Sequence, residues 1–407
     1  MINALGSEYE RWGNSIEEMD QKLSVIVGDV LIASAFVSYV GPFNKFFRDM
    51  IISDNFMKFF KDNNIPMGEE PNPLQILTDE ASIAEWNNQK LPSDQVSVEN
   101  GAILTNSERW PLIIDPQLQG ITWIRNKEKD HNLQITRLTN NKMIRTMEQC
   151  LEQGWSILIE NMDEQIDAVL APVIGRNTIR RGRTRYIQLG DKEIILSPEF
   201  KLFMHTKLSN PHYPPEIQAE ATLINFTVTE NGLEDQILDL VVRKERPDLA
   251  SRKEFLIKQQ NDFKIQLKKL ELELLFQLTN AEGDILENIT LIENLEYSKK
   301  LSTEISEKVE IAKVTSVKIN DASEAYRPAA NRGALVFFMM NELNKIHTYY
   351  MFSLDSFVIV VKRAIDIVAA EYKKEEEPEE GEEGEAGEAG EGGEAKKEEE
   401  EKKEGAE

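Results

Sequence analysis

Apolar residues recur at helical spacing through the first sixty positions and then change rhythm. Leu5, Tyr9, Trp12, Ile16, Met19 and Leu23 fall three or four apart, which predicts an amphipathic helix over Met1–Leu23. Further helices are expected over Leu31–Tyr39 and Phe43–Phe60. The run Leu23–Val40 is 18 residues long, at the lower limit for a membrane span, but Asp29 and three serines interrupt it and Gly41-Pro42 ends it. A buried core helix without membrane contact is therefore expected. Met67–Pro73 (MGEEPNP) reads as a linker. Leu77–Asn87 reads as a short helix with Thr78 as its N-cap and Ser82–Trp86 on its apolar face.

From Val98 to Glu230 short apolar runs alternate with helical stretches. Leu112–Asp115, Leu133–Leu138, Ser156–Glu160, Lys201–His205 and Thr222–Val228 are the expected strands, and a helix over Asn141–Gly154 joins the second to the third. Thr178–Leu196 reads as a β-hairpin turning at Gly190-Asp191. Five short strands with intervening helices predict a mainly parallel sheet covered on both faces.

From Gly232 to Tyr326 the chain is helical and heavily charged. Leu256, Gln260, Phe263, Leu267, Leu270 and Leu274 keep the alternating spacing of a two-stranded coiled coil. TNAEGD (279–284) breaks it, with Asp284 and Glu287 as a capping box for a return helix. Ile285, Ile289, Ile292 and Leu295, then Leu301, Ile305, Val309, Ala312 and Ile319, offer an answering seam. An antiparallel strut with arms projecting roughly 40 Å is expected. Ala329–Ala370 is helical again and apolar on more than one face. Beyond Lys373 a Glu/Gly/Ala/Lys tract without large apolar residues is expected to be disordered, because it cannot offset its ordering entropy.

A formal charge of −25 separates unevenly along the 407 residues, since the final stretch from Lys373 holds 17 Glu against 6 Lys. The remainder is still acidic, which excludes a general nucleic-acid or anionic-membrane binder. The single cysteine, Cys150, excludes an intrachain disulfide and any multi-cysteine metal site, and it is expected at a part-buried helix position in a reducing cytoplasm. Met1–Asp20 is charged throughout and has no signal-peptide core. The four histidines, His131, His205, His212 and His347, share no metal-ligand spacing, and no nucleophile elbow is present.

The candidate chemistry is concentrated after the first strand. A phosphate loop there would supply small residues, free backbone N–H groups and a lysine. Pro111–Asp115 is followed instead by Pro116-Gln117-Leu118-Gln119-Gly120, which lacks one N–H and any lysine and carries bulky side chains. Ser156–Glu160 has the form of a strand ending in a metal-anchoring acid, but with no phosphate presented to it Glu160 reads as a remnant or as the hydrophilic end of a buried strand. Arg176, Arg180, Arg181, Arg183 and Arg185 read either as an anion patch or arginine finger, or as an exposed charged strand facing an acidic surface. No catalytic, cofactor-binding or metal-ligating residue is assigned. Residues 207–216 (KLSNPHYPPE) form an extended, proline-fixed loop after the fourth strand.

Several strings together resemble dynein heavy chains of the axonemal type, outer-arm chains among them. They are LTDEASIAEWNNQKLPSD (77–94), ILTNSERWPLIIDPQLQGITWI (103–124), FMHTKLSNPHYPPE (203–216), TLINFTVTENGLEDQILDLVV (222–242) and YRPAANRG (326–333). GSEYERW (6–12) resembles the base of the returning stalk helix, and GDVLIASAFVSYVGPF (28–43) the stretch of chain after it. The resemblance covers nearly all of residues 1–372. It implies a helical stalk base over 1–66, the large subdomain of a degenerate fifth AAA+ module over 74–242, a coiled-coil buttress over 243–325, closing helices over 326–372 and an acidic tail over 373–407. It also implies an α/β fold: a P-loop-like, five-stranded parallel sheet with helices and an antiparallel strut.

As a part of an ATP-driven microtubule motor in the ciliary axoneme, the segment would contact neighbouring AAA+ modules and the stalk, and the microtubule only indirectly. ATP and magnesium would belong to other modules. The missing tail, linker, first four modules and sixth module would make the chain a split or truncated product. Two other readings stay open: a weak ATPase module with Glu160 as metal ligand, and a free-standing axonemal scaffold binding through Gly232–Tyr326 and the tail.

Overall fold

A computed structural model describes residues 2–68, 71–279, 289–347, 349–350 and 352–376. The expected strut tip at Asn280–Asp284, with its capping box and Ile285, lies outside them, as does the acidic tail from 377 onward. The compact unit runs to Lys362, and the second unit begins at Arg363 and is helical to Glu376.

Five strands form one sheet: β1 (Trp110–Ile114), β2 (Gln134–Arg137), β3 (Ser156–Glu160), β7 (Lys201–Thr206) and β8 (Ala221–Asn225), in the order β2-β3-β7-β1-β8. Every pairing is parallel. The two-residue period of a strand sends alternate side chains into two cores. Leu112, Ile157, Ile159, Leu202 and Met204 face the helix Met143–Gln153 through Met147, Cys150 and Leu151. Ile113, Leu158, Phe203 and Ile224 face the other side, where Trp86, Ile103, Trp123 and Phe36 pack. The fold class and all five strand positions agree with the sequence pattern.

Two local expectations are corrected. The predicted hairpin is a three-stranded meander of β4 (Thr178–Arg181), β5 (Thr184–Leu189) and β6 (Lys192–Ile195). A second turn at Gly182, whose φ of +64° suits glycine, divides the segment that reads as one arm. The short helix is Glu80–Asn88, capped by Asp79, whose carboxylate accepts from Ser82 N at 2.9 Å. Thr78 instead ends the preceding turn Pro73–Leu77.

The N-terminal helix runs unbroken over Ile2–Ala35 and passes into a π-helical turn, Phe36–Val40, before Gly41. Met19–Val40 is long and apolar enough to cross a membrane by length and composition. The expectation of a buried core helix holds for one face only: Ile32, Ala33, Phe36 and Val40 are buried, whereas Met19, Leu23, Val27 and Val30 are exposed. The linker is pinned to this helix, with Gly28 N donating to Pro66 O at 3.0 Å and Gly68 N to Asp29 Oδ1 at 2.9 Å.

The strut consists of an outgoing arm, Pro247–Thr279, and a return arm, Ile289–Glu324, packed against each other. Ile305, Ala312 and Ile319 are buried at heptad spacing, and Leu256, Gln260, Phe263, Leu267 and Leu270 are half-buried. The outgoing arm does not project freely from its start, because it lies along Glu80–Asn88. Asn88 Nδ2 donates to Asp262 Oδ1 at 3.1 Å, Asn261 Nδ2 to Asn88 Oδ1 at 3.2 Å, and Lys264 pairs with Glu80 at 3.0 Å. Among the described residues of that arm, 269–279 pass beyond these contacts, roughly 16 Å of helix. Replacing Ile305 with Ala should loosen the seam by about 2–4 kcal/mol. Hydrogen exchange would show it as faster opening of the two arms, with the sheet amides unchanged.

At the strut's return the Arg327 guanidinium gathers Glu234 at 2.7 Å, Asp235 at 3.1 Å and Glu324. Asn331 Nδ2 adds a bond to Glu234 at 2.7 Å. The helix Arg327–Glu342 is thereby fixed on Glu230–Glu245.

Candidate functional site: the phosphate-loop position

β1 delivers Asp115 to the end of the sheet, where its N–H donates to Thr206 O at 3.0 Å. The chain turns through Leu118, which adopts a left-handed conformation at φ +62°, and enters the helix Gln119–Lys127. Asp115 is fully buried, and its carboxylate accepts from Gln119 N and Ile121 N, each at 3.0 Å. Burial pushes this carboxyl up to about 6, against backbone N–H groups that favour its charged form. These amides at a helix start are the kind that would close on a bound phosphate. Here they close on a carboxylate from the same loop.

Gly120 remains, but its surroundings give it another purpose. A Cβ there would meet the Phe226 ring at 2.9 Å, so the missing side chain makes room for an aromatic ring. Phe226 is held over the loop by its N–H, which donates to Ile114 O at 2.9 Å. Beside it lies a shallow cleft with a cavity volume of only about 10 Å³, lined by Asp94, Ser97, Asn100, Gln119, Thr229 and Gln236. That is smaller than ordinary ligand pockets. Gln119 Nε2 and Gln236 Oε1 bridge at 2.9 Å.

Glu160 ends β3 with its side chain almost buried, and it is not a free metal ligand. Its carboxylate pairs with Arg125, on the helix after the loop, and with Arg137 of β2 at 3.5 Å. Next to it on β7, His205 places Nε2 3.2 Å from Asp115 O, while Nδ1 accepts from Asn161 N at 3.4 Å. That pattern assigns the Nε2–H tautomer, and burial holds the imidazole below its usual range. His205 thus pins β7 to the loop as a neutral ring. Among the described residues no cluster of three or more His, Cys, Asp or Glu could hold a metal ion.

The arginines are not gathered into one site. Arg176 lies over the Trp110 ring at 4.0 Å, and Arg181 pairs with Glu193 at 2.8 Å. Arg180, Arg183 and Arg185 are exposed on the meander, with Arg180 directly across from Arg185. Cys150 is fully buried rather than part-buried, and burial drives its thiol to about 11. The occupancy of the loop by Asp115 and the pairing of Glu160 with Arg125 and Arg137 escape the sequence pattern. An acid four residues ahead of a helix's first N–H is the signal that points to the former.

Two family descriptions match the chain. The microtubule-binding stalk of the dynein motor matches residues 1–60, and the ATP-binding dynein motor region matches residues 84–305. The chain belongs to the dynein heavy-chain family. It is 54% identical over 375 residues to the flagellar outer-arm dynein alpha chain of Chlamydomonas reinhardtii, covering 92% of this chain and 8% of that one. The ciliary dynein beta chain of Heliocidaris crassispina is 52% identical over 367 residues, 90% of this chain and 8% of its own. Human dynein axonemal heavy chain 9 is 47% identical over 378 residues, 92% of this chain and again 8% of its own. This dynein segment therefore spans 8% of the length of these relatives. It contains AAA motor-region and stalk-related sequence on one continuous chain.

Proposed function

We propose that this dynein segment relays movement without hydrolysing ATP. The observation that carries the reading is the Asp115 carboxylate, which takes the amides a phosphate would need. Glu160 supports the reading, because its carboxylate is engaged by Arg125 and Arg137. In this reading, closure of ATP-bearing modules elsewhere in an axonemal motor shifts the sheet domain, and the strut passes that shift to the stalk and so to microtubule affinity. Coupling of distant sites requires an element with alternative arrangements, and the strut and the N-terminal helix are the candidates. Neighbouring modules would cover the exposed apolar face at Met19, Leu23, Val27 and Val30. The ciliary axoneme is the proposed location, and contact with microtubules is indirect.

Calorimetric titration of the purified chain with Mg-ATP tests the absence of a fuel site. No saturable heat is expected up to millimolar nucleotide, and Glu160→Gln should change nothing. Tight magnesium-dependent binding lost in Glu160→Gln would replace this reading with that of an unconventional ATPase. In a complete motor, Ile305→Ala should weaken the link between nucleotide state and microtubule affinity while the ATP sites stay intact.

A further inference from the structure

Arg48 is fully buried, an expensive place for a guanidinium unless its donors are met. Each of its three nitrogens is met, and by groups from two parts of the chain. Nε donates to Phe43 O at 2.8 Å and Nη2 to Gly41 O at 3.0 Å, both in the turn that ends the N-terminal helix. Nη2 also donates to Asn100 Oδ1 at 2.7 Å, and Nη1 to Glu99 Oε2 at 3.2 Å, both on Gln95–Asn106 of the sheet domain. Asn100 Nδ2 then donates to Asn225 O at 2.8 Å, and Asn225 N to Gly41 O at 2.9 Å. The bonds form a closed circuit, Arg48 to Asn100 to β8 to Gly41 and back. Lys45 supports it from outside, pairing with Glu99 at 3.0 Å.

This circuit falls where the two family matches meet. Gly41, Phe43 and Arg48 lie within the stalk-matched residues 1–60, and Glu99, Asn100 and Asn225 within the motor-region match, 84–305. We propose that Arg48 is the positioning residue of a rigid joint that makes the base of the N-terminal helix move as one body with the edge of the sheet. The inference rests on the relay reading for its purpose, but its geometry stands apart from it. An apolar contact could hold the segments together equally tightly yet let them swivel. A planar fork with donors fixed to acceptors on both sides sets the angle as well. A lysine could keep the charge and not the angle.

The test is a distance measurement on this chain. Spin labels at Ser24→Cys, on the helix, and Gln188→Cys, on β5, report the joint, and a pair at Glu152→Cys and Gln188→Cys reports the sheet domain alone. All three positions are exposed, and buried Cys150 should not label. A single narrow distance is expected for both pairs in the parent. Arg48→Met should broaden the first distribution and leave the second unchanged, with amide exchange at 41–48 roughly 10²-fold faster. Arg48→Lys should restore the exchange in part but not the narrow distance. If Arg48→Met melts the sheet domain, Arg48→Lys alone decides the matter. An unchanged helix-to-sheet distribution in a folded Arg48→Lys chain overturns the joint. The relay reading fails separately, if Ile305→Ala leaves motor coupling intact while the joint measurements come out as expected.

Discussion

Gly41→Ala is expected to destabilise the fold by about 3–5 kcal/mol, among the largest effects of any single methyl group in this chain. The added Cβ would lie 2.3 Å from Leu223 O, a backbone atom that cannot rotate aside. Relief requires the turn to lift away from β8. That movement stretches the 2.9 Å bond from Asn225 N and the 3.0 Å bond from Arg48, both of which end on Gly41 O. The cost therefore combines overpacking with two weakened hydrogen bonds, one of them charge-assisted. Gly13→Ala is the natural control, because nothing lies within 4 Å of its Cβ position on the N-terminal helix. It should stabilise by about 1 kcal/mol through helix propensity. Denaturant midpoints for the two variants should move in opposite directions. A Gly41→Ala midpoint equal to the parent's would mean that the turn is not held against the sheet.

Asp115→Asn should alter how stability responds to acid. The carboxyl is raised in the folded chain to about 6 from an ordinary value of 3.8. A raised carboxyl means that the folded state holds its proton more tightly than the unfolded state does. Its contribution is therefore most favourable below 3.8 and is lost as pH rises through about 6, a difference of about 3 kcal/mol. His205, depressed by burial, acts in the opposite direction and destabilises the fold as pH drops below 6.5. Subtracting the variant's profile from the parent's removes the histidine contribution. The parent should gain relative to Asp115→Asn between pH 7 and pH 4. The amide cannot titrate, and its NH2 would face the Ile121 N–H, leaving a buried donor unmet. A difference profile flat across that window would show that Asp115 is not held in a desolvated pocket.

Much of the fold is legible in the chain because its signals are periodic. Ile113 and Leu158 differ from their strand neighbours by facing the opposite core, and a period of two is visible in a string of letters. Ile305, Ala312 and Ile319 announce themselves through heptad spacing. The meander reads as a single hairpin because Gly182 sits among arginines, where no strong turn dipeptide marks it. The core helix reads as wholly buried because apolar content reports what can be buried and is silent about which face finds a partner. At the loop, the missing lysine and Pro116 argue against a phosphate cradle, but they carry no information about what fills its place. Asp115 only closes the expected first strand, and no spacing in the chain singles out Arg125 or Arg137. Their meeting with Glu160 depends on which strands and helices become neighbours, a consequence of sheet order. Arg48 is hidden for the same reason: its partners Glu99 and Asn100 lie about fifty residues away in sequence.

On the relay reading proposed above, the way Asp115 and Phe226 occupy the loop would keep a phosphate site from being regained in one step. Introducing a lysine at Gln119 would leave the carboxylate on the amides and the aromatic ring above Gly120. Removing the carboxylate alone would leave the N–H groups of Gln119 and Ile121, the latter buried, without their acceptor. Each single change toward an open phosphate cradle is thus a loss by itself, and only several together could be neutral. A loop filled from within in this way leaves the outer surfaces free to vary while its interior stays closed.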